Sequence, residues 1–331
     1  MHRDQVLQLF ESFKNSRILI IGDVMIDSYI WGDVTRISPE APVQVLSASK
    51  KEYRLGGAAN VAKNIQSLGA IPILCSVIGK DTNGFSFNDL LKQNNINSKW
   101  IIKDEQRITT MKTRAISGHQ HLLRIDEEIT EYLSESTEKK FIETINSAIS
   151  SENISSIVVQ DYNKGILSAG VIKYIINISK EKNIPLLVDP KRNNFGLYEN
   201  LTLLKPNFKE LKEGLKIDIN KNEIDKIVRI CQTYLSEKNI DSILLTLSEN
   251  GILICTKDKF HHVPAKIRDV SDVSGAGDTV ISTASLCVAN KLSIYDIANI
   301  SNIAGGIVCE KVGVVPVNKE KLIEELIEKE V

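Results

Sequence analysis

The segment "DVSDVSGAGDTV" at residues 269–280 places three very small residues, Gly275, Ala276 and Gly277, directly before the carboxylate of Asp278. Beyond them Val280, Ile281, Ala284 and Val288 recur at helical spacing, so Gly275-Ala276-Gly277 is expected to form the first turn of a helix. The first amides of a helix lack internal partners and carry the positive end of its dipole. Side chains this small leave those amides open to an anion, including a phosphoryl group in transfer. Asp278 would repel such an anion. A carboxylate is useful there as a base that takes the proton of an attacking hydroxyl. The alternative is that Asp278 only complements the helix dipole, as first-turn acids commonly do.

A second glycine-rich turn opens "GGAANVAKNIQSLGA" at 56–70. Ala58, Val61, Ala62, Ile65 and Leu68 share one helical face, with Gly69 as the C-cap. Gly56 and Gly57 let a backbone come close to a ligand, and Asn60 offers both donors and an acceptor. A tight strand-to-helix connection without a ligand would use the same residues. The chain has no G-x-x-x-x-G-K-[ST] loop and no glycine-rich kinase loop.

The elements that must position these turns are legible as short apolar runs at 18–23, 155–161, 185–190, 201–207 and 242–248. Runs apolar on both faces suit parallel strands covered by helices, and amphipathic stretches at 168–182 and 221–235 lie between them. The pattern predicts an α/β layer sandwich with a mainly parallel sheet. Two regions, 29–55 and 107–127, read instead as strands exposed on one side, with "SGHQ" as a turn. They are expected to form a small β-sheet inserted into a single domain spanning 1–331, as a lid.

Composition narrows the class. With 331 residues, 42% hydrophobic and 25% charged, the chain can bury a large core. A formal net charge of −1 argues against a broad nucleic-acid footprint. Cys75, Cys231, Cys255, Cys287 and Cys309 are scattered, as expected for buried thiols in a reducing compartment and not for a zinc site or a disulfide framework. The opening "MHRDQVLQLFESFKNSR" lacks a signal-peptide core, and no apolar run approaches the roughly 20 residues of a membrane helix. The expected location is the cytoplasm, with no membrane partner.

Together, "GGAAN" and "DVSGAGD" resemble the two signatures of the ribokinase-like (PfkB) sugar kinases. "GDVMIDSYIWGDVTRISPEAPV", "QDYNKG", "VDPKR" and "LKPNFKE" look most like the D-glycero-β-D-manno-heptose 7-phosphate kinases of that family. Those are commonly fused to an adenylyltransferase domain. No H-x-G-H motif occurs here, so the kinase alone is expected. The resemblance implies a ribokinase-like layer sandwich whose lid pairs two subunits into a homodimer. It also implies ATP as co-substrate, Mg²⁺, and room for a monovalent cation near Asp272. The reaction implied is phosphorylation of the anomeric hydroxyl to the 1,7-bisphosphate in ADP-heptose biosynthesis. Another sugar or sugar phosphate in the same fold, or a non-catalytic sugar-binding regulator, are the competing functions.

By the same resemblance Asp278 is the catalytic base and Gly275, Ala276 and Gly277 form the anion hole. Asp27, Gly56, Gly57 and Asn60 hold sugar hydroxyls. Asn207, Phe208, Lys209 and Glu210 form the element that acts on magnesium, indirectly, and on the ATP phosphates. Thr246, Ser248, Gly251 and Asn302 surround the nucleotide. Asp27 also follows the carboxyl end of a strand, where open α/β sheets place ligands. Glu210 three residues after Asn207 fits a capping box equally well, and the hydroxyls of Thr246 and Ser248 could be satisfied locally. Lys164, Arg114 and Arg124 are candidate cations for a substrate phosphate, and Lys191 for that phosphate or the nucleotide. Lys164, between an aspartate and a glycine just past a strand, is the first choice.

Overall fold

The computed structural model describes residues 2–118 and 120–328, so the expected "SGHQ" turn includes one position, His119, outside the described residues. Thirteen strands among the described residues make two sheets. In chain order they are β1 (Arg17–Gly22), β2 (Val24–Ile37), β3 (Gln44–Gly57), β4 (Ile71–Gly79), β5 (Ile101–Asp104), β6 (Met111–Ser117) and β7 (Gln120–Glu127). There follow β8 (Ser156–Gln160), β9 (Leu186–Asp189), β10 (Leu203–Leu204), β11 (Ser242–Thr246), β12 (Ile252–Cys255) and β13 (Phe260–Val263).

The larger sheet has nine strands in the order β13-β12-β11-β10-β9-β8-β1-β4-β5. It is parallel from β5 to β11, and β12 and β13 add antiparallel at one edge. β1 shows why its run is apolar on both faces. Ile18 and Ile20 enter one core, with helices Ala58–Ser67, Ala276–Ala289 and Ile294–Cys309. Leu19 and Ile21 enter the other, with helices Glu135–Ser151, Ala169–Glu181 and Ile224–Lys238. Each such side chain, fully buried, contributes about 1.5–3 kcal/mol. The expected helix at 168–182 forms because Ser168 caps it, its side chain accepting from the Val171 amide at 3.2 Å. The run at 201–207 yields only a two-residue strand, because Pro206, which has no N–H for a ladder, stands just beyond it. Gly69 lies one residue past the C-cap, Leu68, in the left-handed region at φ 97°. Among the described residues no helix is long and apolar enough to cross a membrane.

The smaller sheet runs β3-β2-β6-β7. β2 pairs antiparallel with β3 and parallel with β6, and β6 pairs antiparallel with β7. Only Asp23 separates the end of β1 from the start of β2, so the two sheets share a junction at the carboxyl edge of the larger one. The root of β2, residues 24–29, is buried; its far end is largely exposed. One face of this sheet is charged, with Asp27, Arg54, Lys112 and Asp126 in register across four strands. The opposite face carries Tyr53, Leu123 and Ile125, all exposed.

Candidate active site

The helix Ala276–Ala289 begins where the glycines allow it. Gly275 is its N-cap at φ 80°, a conformation that a side chain would strain. Its first internal bond runs from the Thr279 amide to the Gly275 carbonyl, 3.0 Å. The Ala276 amide turns back to the Val273 carbonyl at 3.2 Å, whereas those of Gly277 and Asp278 precede the helical ladder. A Cβ on Gly277 would stand 3.5 Å from Lys205 Nζ and 3.9 Å from Asp189 Oδ2. The bare glycine therefore brings a helix N-terminus beside a buried ammonium. Lys205 is 2% exposed and pairs with Asp189 Oδ2 at 3.1 Å.

Asp278 is 3% exposed. Asn60 Nδ2 donates to its Oδ2 at 2.7 Å, while Tyr162 Oη and Gln160 Nε2 donate to its Oδ1 at 2.8 and 3.1 Å. Burial pushes its pKa up to about 6, Asp189 adds to the rise, and the bonds from Asn60 and Tyr162 with the charge of Lys205 oppose it. A carboxylate in that range is matched to taking a proton near neutral pH.

The second glycine-rich turn lies against this helix. Gly57 has φ 59°, and a Cβ there would come 2.4 Å from the Asp23 carbonyl. A Cβ on Gly56 would come 2.1 Å from Asp27 Oδ2. Asn60, three residues on, thereby reaches Asp278, and Asp27 stands against the same turn. Asp27 is buried and accepts from Arg114 Nη1 at 2.5 Å. Its pKa is raised because burial outweighs Arg114.

Asp23, wholly buried, accepts from the amides of Tyr162 at 2.7 Å and Lys164 at 3.2 Å and so holds the "QDYNKG" loop over the site. Burial, with Asp161 nearby, pushes it up to about 6. Lys164 donates to Glu128 Oε1 at 2.6 Å, and Lys112 to Glu128 Oε2 at 2.9 Å. Lys191 pairs with Glu210 and lies 5.2 Å from the centre of the Tyr162 ring. Burial would lower the Lys191 pKa, but Asp189 and Glu210 outweigh it and hold the ammonium above its usual range.

A nine-stranded α/β sheet with two glycine turns meeting at a buried aspartate is the frame within which family membership is decided. The pfkB family carbohydrate kinase model matches residues 15–321. The chain belongs to this family. It is 36% identical over 327 residues to the bifunctional protein HldE of Geotalea uraniireducens, across 98% of this chain and 66% of that protein. It is 38% identical over 314 residues to the protein of the same name from Campylobacter curvus, across 95% and 65%. The chain thus spans about two thirds of the length of these curated relatives. In fold it is similar to phosphofructokinase-2 of Escherichia coli in complex with potassium, with TM-score 0.78 and 17% identity, covering 95% and 99% of the two chains. It is also similar to the ribokinase of Arabidopsis thaliana complexed with ribose and ATP, with TM-score 0.70 and 14% identity, covering 93% and 99%.

In this pfkB kinase the remaining candidates divide by location. Asn207 and Glu210 make the capping box: Glu210 N donates to Asn207 Oδ1 and Asn207 N to Glu210 Oε2, both at 2.8 Å. The other Glu210 oxygen faces Lys191, so the cap and the site share one carboxylate. Phe208 packs against the core that holds Leu19 and Ile21, and Lys209 points to Glu213 at 3.8 Å, so neither turns toward Asp278. Thr246 bridges to Asn207. Ser248 opens a single 3₁₀ turn, and Gly251, at φ 83°, leaves no room for a Cβ against the Val263 carbonyl. Asn302 donates to the Pro264 carbonyl at 2.9 Å, abutting the same segment as Gly251. Asp272 accepts from the amides of Ser274 and Gly313, both at 2.9 Å. Arg124 is 61% exposed and paired with Asp126, on the solvent rim of the charged face.

Sequence reasoning missed Asp23, Gln160, Tyr162, Asp189, Lys205 and Lys112. Asp23, Gln160, Asp189 and Lys205 end or directly follow β1, β8, β9 and β10. A polar residue closing each apolar run was the available signal, because ligands of open α/β sheets gather at strand carboxyl ends.

Proposed function

We propose that this carbohydrate kinase transfers the γ-phosphoryl group of ATP to the anomeric hydroxyl of D-glycero-β-D-manno-heptose 7-phosphate. The observation that carries the chemistry is the buried Asp278 beside the first-turn amides and Lys205. Asp278 takes the hydroxyl proton while the sugar oxygen attacks phosphorus. The amides of Gly277 and Asp278, with Lys205 and Lys191, receive the charge of the phosphoryl group. Asp27, Asn60 and the backbone of Gly56 and Gly57 orient the sugar. Mg²⁺ fits here as a partner of the ATP phosphates: among the described residues no cluster of three acidic, His or Cys side chains forms a metal cage, while Asp189 Oδ1 is buried without a partner. When bound it neutralises phosphate charge, and Glu210 and Asp189 are the residues to hold it, directly or through water. The cytoplasm, where ATP is abundant, is the proposed location.

For the substrate phosphate the support is cationic. Lys164, Lys112 and Arg114 line the charged face that runs from the smaller sheet into the site. A phosphate there fixes the far end of the sugar and so helps place O1 at Asp278. Lys164→Ala is expected to lower kcat/KM for heptose 7-phosphate roughly 10- to 100-fold and for unphosphorylated heptose little. Equal losses on both sugars would remove Lys164 from the phosphate site. An ATP-consumption screen over free and phosphorylated sugars tests the substrate itself, and a preference for ribose or fructose 6-phosphate would overturn the heptose assignment.

The apolar face of the smaller sheet supports a homodimer. Leu123 and Ile125, 58% and 50% exposed, lie beside Tyr53 on that face, and a sheet face of this kind calls for a partner. Val43 is exposed at its end; Leu55, expected to join the interface, is 5% exposed in the chain's own core. Light scattering is expected to give a dimer, and Ile125→Asp to give a monomer. A concentration-independent monomer for the parent protein would overturn this.

A further inference from the structure

An ionised carboxylate offers about two acceptor directions on each oxygen. In Asp278, Tyr162 Oη and Gln160 Nε2 fill both on Oδ1, whereas Asn60 Nδ2 takes only one on Oδ2. Tyr162 is held in place from its backbone, because Asp23 accepts from its amide at 2.7 Å and from that of Lys164 at 3.2 Å. Its ring lies 5.2 Å from Lys191 Nζ. We propose that Tyr162 is a positioning residue: its hydroxyl pins Oδ1 of Asp278 and leaves Oδ2 to receive the proton of the attacking hydroxyl. The inference rests on Asp278 being the base proposed above. As the hydroxyl O–H bond breaks, the proton passes to Oδ2 and the hydroxyl oxygen bonds to the γ-phosphorus. The bond from that phosphorus to the bridging oxygen breaks, and ADP leaves with its electron pair.

Tyr162 does not itself take the proton. Its hydroxyl is held well above the usual range, by burial first and then by Asp278 and Asp189, so it stays a donor. That donor favours the ionised form of Asp278. The other charged groups facing Asp278 are Asp189 and Lys205 from neighbouring strand ends and Lys191 from the loop after β9. None of them changes in Tyr162→Phe.

The first readout needs no sugar. Protein labelled with ¹³C at the aspartate carboxyls is titrated by NMR, and the Asp278 signal is identified by its loss in Asp278→Asn. Tyr162→Phe is expected to raise the Asp278 midpoint by about one to two pH units. Tyr162 replaced by 3-fluorotyrosine is nearly the same size and a stronger donor, so it should shift the midpoint down. The acidic limb of kcat/KM should move in the same directions, with KM for ATP unchanged. Unmoved midpoints would overturn the proposal, and the fluorotyrosine protein decides alone if the Phe variant does not fold. Shifted midpoints with full turnover in Asp278→Asn would remove the base role, and the assignment of Oδ2 with it.

Discussion

Asp278→Asn is expected to lower turnover about 10²- to 10⁴-fold while ATP and sugar still bind. The amide keeps an oxygen for Tyr162 and Gln160, so the site's shape survives, but it has no basic lone pair for the hydroxyl proton. In the parent protein turnover should fall as pH drops through about 6, where Asp278 takes up its proton. Stability should move the other way. The folded pKa lies above the ordinary aspartate value of 3.8, so between roughly pH 4 and 6 the folded chain holds a proton that the unfolded chain has released. That contribution is present at low pH and is lost as pH rises through the folded pKa. Asn removes the buried charge, so thermal melting near pH 8 should rise, by at most about 3 kcal/mol of stability at 1.36 kcal/mol per pKa unit. Near-parental turnover with binding intact would rule Asp278 out as the base.

Gly277→Val is the second large effect, about 10²- to 10³-fold in kcat for loss of a preorganised oxyanion donor. The first carbon would fit, since 3.5 Å from Lys205 Nζ is ordinary contact. The two methyls beyond it would crowd the Lys205–Asp189 pair and cover the first-turn amides. Gly277 is not in the left-handed region, so valine there meets no backbone strain. Melting close to the parent with turnover largely lost is the expected pair of results, and Gly277→Ala should fall between. A folded, fully active valine variant would reject the anion hole.

Much of the frame was legible because it rests on local rules. Apolar runs with helical stretches between them gave β1, β8, β9 and β11, and small residues before Asp278 gave the helix N-terminus. The second sheet was legible as strands without intervening helices, although β2 and β3 reach 24 and 57, deeper into the core than the stretch 29–55 implies. Tyr162, Gln160 and Lys205 were not legible as partners of one aspartate, because Gln160 ends β8, Tyr162 lies just past it and Lys205 follows β10, all more than 70 residues before Asp278, and only tertiary packing brings them to it. The capping box at Asn207 and Glu210 was left open against a role toward phosphates, and its geometry supplies the cap while Lys191 occupies the remaining carboxylate oxygen. Arg124 and Lys209 fit a charge argument by type alone, and side-chain direction takes both to solvent.

The bond between Asn60 and Asp278 joins residues 218 positions apart. β1 has a similar difficulty on a smaller scale: it lies between β4 and β8, so Ile18 waits for Ser156 before its second ladder can close. Contacts this remote carry the loop-closure entropy of most of the chain before they return any energy, which slows folding. During synthesis, then, the two glycine turns spend a long interval apart, one on an early helix and the other not yet made. Catalytic competence arrives last, as a property of the finished chain, and no early folding intermediate holds a partly working site.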